Sequence, residues 1–405
     1  MIDHHPTDSS AGRPRLITDV RPVGFGTDTS EGAVDILVAA DGTIAEVGPN
    51  LARGSGAELL AGHGAFVSPG WCDLHVHVWH GGTDISIRPR QCGLERGVVT
   101  LVDAGSAGEA NFAGFREFVI EPAAERIFAF LNIGSIGLVA CNRVSELIDI
   151  RSIDVERTLA CVEANRDVIR GIKVRASHVI LGSWGITPVK VARKVARIAG
   201  LPLMVHVGEP PPMLDEILEL LDPGDIVTHC FNGKPGGNIL DDDEVYALAE
   251  KCAAAGVVLD VGHGAASYSF RVAEVAIARG LLPQTISTDL HLRCLEHPVW
   301  DLATTMAKLM AAGMPFERVV AAATVRPMAV VGLPTQGLLS PGARAELTLF
   351  DLVESDLGIA DSMGATTRMS HLIEPRWTVV GNRAVRASRH VPEPAAACPS
   401  CGGPG

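Results

Sequence analysis

Asp73-Leu74-His75-Val76-His77 ends a short apolar stretch that begins at Val67. In a β-strand successive side chains alternate faces, so His75 and His77 point the same way and can grip one metal ion. One strand cannot complete such a site, and the missing ligands are expected at the ends of later strands. Four more apolar runs end in suitable groups: Lys173 within 171–175, His206 within 204–208, His229 within 226–230 and Asp289 within 286–289. Taken singly, each has a plainer reading. A histidine in an apolar run is often a hydrogen-bonded core residue, a strand-end lysine snorkels to solvent, and an aspartate before a helix caps it. Taken together, the plain readings would have five strands bury polar groups on one rim without a shared purpose, which is costly. Four histidines and an aspartate suit zinc first, with manganese or nickel as similar divalent choices. Lys173 fits only if burial removes its charge. The neutral amine can then be carboxylated by carbon dioxide to an anionic oxygen donor that bridges two ions.

Positioning these groups requires eight strands. Apolar runs fall at 71–77, 98–104, 127–133, 169–174, 203–207, 226–229, 257–261 and 285–289, with helix-length stretches such as 154–166, 187–199, 213–221 and 242–255 between them. Alternation of this kind predicts an α/β fold, a (β/α)8 TIM barrel with its site at the C-terminal strand ends. Residues 16–66 read as short strands broken by turns, with Asp41-Gly42 as a hairpin signal. The strand-like run 345–351 has the same texture. The chain therefore divides into a small β-sandwich domain built from 16–67 and 335–390, a barrel over 68–334, and flexible tails at 1–15 and 391–405.

The net charge of −13 over 405 residues argues against a nucleic-acid partner, which would want clustered Lys and Arg. No apolar N-terminal segment or membrane-length run is present, so a cytoplasmic protein with no membrane partner is expected. Exposed helix faces of barrels allow a homo-oligomer. Cys398 and Cys401 have metal or redox spacing but stand in a Pro/Ala/Gly-rich tail without a second pair, which favours a flexible terminus.

Asp73-x-His75-x-His77, Lys173, His206, His229 and Asp289, followed by Thr324-x-x-Pro327-x-Ala329 and Pro341-Gly342, resemble the binuclear pattern of the amidohydrolase superfamily. The texture is closest to its dihydroorotase-like amidohydrolase/deacetylase group, which includes acetyl-(R)-mandelate esterase-like enzymes and N-acyl amino acid deacylases. The resemblance implies that His75, His77 and Asp289 hold a buried ion. His206 and His229 would hold an outer one, and carboxylated Lys173 would bridge the two divalent ions. It also implies hydrolysis of an ester or amide, with a metal-bridged hydroxide as nucleophile and Asp289 as general acid/base. The small-molecule substrate would be an acylated 2-hydroxy acid or an N-acyl amino acid. Trp79 stands where true dihydroorotases carry an arginine.

For the substrate, Arg175 shares strand parity with Lys173 one step nearer the mouth, so its fork could clamp a carboxylate. An ion pair with a loop acid is the competing role. His178 follows on the same loop, and His263 lies between glycines that let backbone approach a ligand. The rival activities are a cyclic amide or imide hydrolase and a mononuclear deaminase using Glu209 with Lys173 idle. The alternative from another class is a scaffold that has lost its chemistry.

Overall fold

Two seven-stranded sheets organise the computed structural model, which describes residues 12–25, 32–52, 54 and 56–392. The first sheet begins with β1 (Arg15–Pro22), β2 (Val34–Val38), β3 (Ile44–Gly48) and β4 (Glu58–Pro69). β2 alternates buried and half-buried residues, as a strand with one covered face should. Asp41-Gly42 turns it into β3, with Gly42 at φ +83°. β1 pairs antiparallel with β2 and parallel with β4.

Gly70 separates β4 from the barrel. There β5 (Trp71–Val76), β6 (Val98–Gly108), β7 (Arg126–Asn132), β8 (Ile169–Ala176), β9 (Leu203–Val207), β10 (Ile226–Thr228) and β11 (Val258–Asp260) run parallel, each beside the next. These strands are buried almost throughout, because helices cover the outside of a parallel barrel. The expected eighth strand closes the ring through single bridges, Asp260 to Thr285 on one side and Val76 to Leu290 on the other. It is a bridged segment rather than a regular ladder, and its polar side chains turn to buried acids. Thr285 and Ser287 donate to Asp260, and Thr288 donates to Asp73.

The crossover helices begin and end on local chemistry. Asp154 accepts from the Arg157 amide at the start of Val155–Ala164, and Asp242 does the same for Asp243–Ala255. The helix Thr187–Ala199 stops at left-handed Gly200. The stretch expected to be helical over 213–221 is regular only at Leu214–Leu218.

The chain then returns to the first sheet through β12 (Glu346–Ala360), β13 (Thr366–Val380) and β14 (Arg383–Arg386), with β12 antiparallel to β4. The two long strands have 15 residues each, well beyond the expected run at 345–351. Their far end carries Ile359 and Met369 onto the barrel core, and the Ala360 carbonyl accepts from buried Lys308 at 2.9 Å. A separate apolar core that includes Ile17, Val20, Ile36, Leu347 and Val379 lies within the first sheet. Residues 1–11 and 393–405 of the two expected tails, with Cys398 and Cys401, lie outside the described residues, whereas Arg15 already belongs to β1. Among the described residues no helix is long and apolar enough to cross a membrane.

Candidate metal centre

His75 at the end of β5 and His77 just beyond it aim their Nε2 atoms at one Asp289 carboxylate oxygen, at 3.3 and 3.1 Å. Each residue offers one ligand atom, and the three atoms lie within 4.8 Å of one another. Asp289 reaches this place at φ +49° and His229 reaches its own at φ +73°, in the left-handed region that side-chain-bearing residues rarely use. Such strain persists where surrounding bonds over-determine the conformation. The Asp289 amide donates to the His75 carbonyl at 2.6 Å. Its neighbour Thr288 donates from amide and hydroxyl to Asp73 at 3.0 and 2.6 Å. The first residue of the sequence motif thus anchors the segment that carries the aspartate.

Hydrogen bonds behind the rings favour free lone pairs at the front. Thr228 Oγ1 donates to Asp260 at 2.7 Å and so accepts from His75 Nδ1 at 2.8 Å, leaving His75 Nε2 unprotonated. His229 Nδ1 donates to the Gly262 carbonyl at 2.6 Å, which frees its Nε2 in the same way. That Nε2 lies 2.8 Å from His206 Nδ1. Burial holds the His75 and His206 rings neutral well below the usual histidine range, and takes His229 to about 3. Burial alone would raise the Asp289 pKa, but His75 and the His77 hydrogen bond keep it well below the ordinary carboxylate value. Imidazoles gathered at a carboxylate form a donor set suited to a divalent ion.

Lys173 is fully buried, with Nζ 3.4 Å from His75 Nε2 and 3.2 Å from Met204 Sδ. Burial lowers its pKa to about 7, against the partial support of Asp289 and Asp260. An amine of this kind is uncharged over much of the neutral range and can react with carbon dioxide.

His75, His77, Lys173, His206 and Asp289 line one cavity of about 410 Å³, whereas His229 is fully buried and is not on its wall. The three expected substrate residues fare differently. Arg175 lines the cavity, but its Nε and Nη2 are held at 2.7 and 2.6 Å by Glu146, whose carboxylate is completely covered. Its ion-pair role is the one present. His178 does not join the site, because it starts the helix His178–Leu181 with an exposed side chain while Val179 and Ile180 face the cavity. His263 is also absent from the cavity wall. It is buried on Tyr268, with ring centroids 4.6 Å apart, and its Nε2 lies 2.8 Å from Lys308 Nζ. The close approach its glycines permit is to Asp289 and His229. A Cβ on Gly264 would stand 2.3 Å from Asp289 Oδ2, and one on Gly262 would stand 2.7 Å from His229 Nδ1.

Several participants escaped the sequence reading. Asp260 and Thr228 sit behind His75, and Ser106 lies 3.0 Å from His77 Nδ1. Asp260 carried a signal, an acid inside the apolar run 257–261. Arg143 and Arg293, in loops with no distinguishing pattern, also face the cavity. Glu209 lines it too and pairs with Lys234 at 2.7 Å.

Comparison with known proteins agrees with this geometry. The family model described as Amidohydrolase family matches residues 66–383. A deacetylase of Brucella anthropi is 60% identical over 94% of this chain and 94% of its own. One from Agrobacterium fabrum is 60% identical over 94% and 93%. A crystal structure of a dihydroorotase superposes with a TM-score of 0.92 at 58% identity, covering 94% of this chain and all of that one. The family is metal-dependent, and the His75, His77 and Asp289 group fits that requirement. Motif, barrel, ligand geometry and relatives converge: this chain is a hydrolytic enzyme belonging to the amidohydrolase family.

Proposed function

We propose that the protein is a binuclear metal-dependent deacylase that cleaves the ester or amide bond of an acylated 2-hydroxy acid or N-acyl amino acid. The observation that carries this reading is the convergence of His75 and His77 on Asp289 beside a fully buried lysine. His75, His77 and Asp289 would hold one ion and His206 with His229 a second, zinc being the first choice for this donor set. Lys173 Nζ adds to the carbon of carbon dioxide, an N–C bond forms and one proton leaves, giving a carbamate whose oxygens suit both ions. A bound ion pair supplies a water activated near neutral pH and a polarised acyl carbonyl.

The remaining work falls to the chain. Asp289 accepts a proton from the attacking water and returns it to the departing amine or alkoxide. His75 keeps its Nδ1 proton on Thr228, so its front nitrogen stays available throughout. The cavity's surplus of cationic side chains favours an anionic substrate, and the relatives named deacetylase support removal of an acetyl group.

Asp289→Asn, assayed on acetylated hydroxy acids, N-acetyl amino acids and cyclic imides, tests the reading. Hydrolysis of the acetylated acids should fall by about a hundred- to ten-thousandfold while metal content is largely kept. Near-normal turnover in that variant would contradict the assignment, and wild-type preference for the cyclic imides would transfer it to the rival hydrolase.

A further inference from the structure

Outside the ligand set, four cationic side chains face the cavity: Arg143, Arg175, Lys234 and Arg293. Two already have partners. Glu146 grips Arg175 through two bonds, and Glu209 holds Lys234. Withdrawing Arg175 to meet a substrate would leave the covered Glu146 carboxylate without its counter-charge, so that fork is committed. Arg143 and Arg293 are exposed, and among the described residues neither has a carboxylate within ion-pair reach. They come from separate loops, one following β7 and the other following the eighth strand, yet both line the same cavity as Asp289.

We propose that Arg143 and Arg293 form the subsite that recognises the substrate's carboxylate, with Arg175 as a structural ion pair. The proposal rests on the deacylase reading and deepens it by assigning the anion-binding residues and the orientation of the substrate. A guanidinium without a protein acid offers a planar fork of donors to an incoming carboxylate. Two like charges directed at one space repel each other until an anion lies between them, which gives the site a preference for charged over neutral ligands. Both arginines are exposed while the ligands are buried, so the carboxylate faces the solvent side and the acyl group descends to Asp289.

The test uses the full chain with its metals. N-acetyl-alanine and O-acetyl-lactate of both hands are assayed, and the acid cleaved fastest is paired with its neutral primary amide. Arg143→Gln and Arg293→Gln should each raise KM for the acid about tenfold, the range of a lost charged hydrogen bond, with kcat within about twofold. Cleavage of the amide should be unchanged in both variants. Arg175→Gln should impair acid and amide alike. Equal losses on acid and amide in the Arg143 and Arg293 variants, or no loss on either, would overturn the proposal.

A binding arm separates this from the hydrolase reading. In the Asp289→Asn background, calorimetry with N-acetyl-alanine should show the Arg143→Gln/Arg293→Gln pair binding about a hundredfold more weakly. Equal affinity, or no binding of the acid in the background itself, rejects the subsite. Failure of the unsubstituted enzyme to cleave any acetylated compound rejects the deacylase reading alone.

Discussion

At the scale of single residues, the site depends on charge being removed where burial would make it expensive. Lys173 is the clearest case: a lysine in the barrel interior, lowered to about 7 by burial, loses its proton within the neutral range. The histidines around it are neutral well below that range. Carbamate formation consumes the unprotonated amine. At fixed dissolved carbon dioxide, reactivation of metal-free enzyme by added metal should therefore quicken from roughly pH 6 to 8 and flatten above it. A rate that kept rising to about pH 10, as for an ordinary lysine, would contradict the depressed value. The meeting of His75, His77 and Asp289 was legible in the sequence because a strand end in a barrel has one direction to point. Arg143, Arg293 and Glu146 were not, because loop residues carry no periodicity that says which way they face. Arg175 was placed in the cavity with two roles open, and the sequence could not choose the ion pair because its partner lies 29 residues away on another loop.

At the scale of elements, the loop after β11 acts as a mould for Asp289 and His229. Gly264 sits at φ +52° with no room for a Cβ beside Asp289, whereas Gly200 sits at φ +66° with nothing nearby. Comparing the two separates backbone cost from collision. Gly264→Ala should cut kcat by about a hundredfold, the effect of displacing a reacting group by an ångström or so. Gly200→Ala should cost about 1 kcal/mol of stability and leave kcat alone. Equal activity in the two variants, measured at saturating substrate, would remove the moulding role. The glycines on either side of His263 had been visible as a sign of close approach. The sequence could not tell that they admit the ligands, so the histidine between them faces the core instead.

At the scale of the whole molecule, the barrel and the sheet made from both chain ends are joined rather than merely tethered. β4 runs into β5 through one glycine, Trp71 lies 5.4 Å from Phe350 of β12, and Arg126 of the barrel pairs with Glu346. The chain-end sheet and the order of the barrel strands were readable from run length and turn residues. The full length of β12 and β13 was not, because their outer halves are fixed by packing on the barrel and not by local pattern. Phe350→Ala should cost about 3–5 kcal/mol, with both sheets melting in a single calorimetric transition. Two transitions, with activity surviving the first, would show that the parts are independent. All of this architecture serves a site read as binuclear, and the most direct test of that claim is metal content per chain in wild type and in Lys173→Ala, measured alongside hydrolysis. Two divalent ions are expected in the active wild type, and at most one, with activity lost, in the variant. A fully active wild type holding a single ion, or a variant that keeps both ions and its activity, would contradict it.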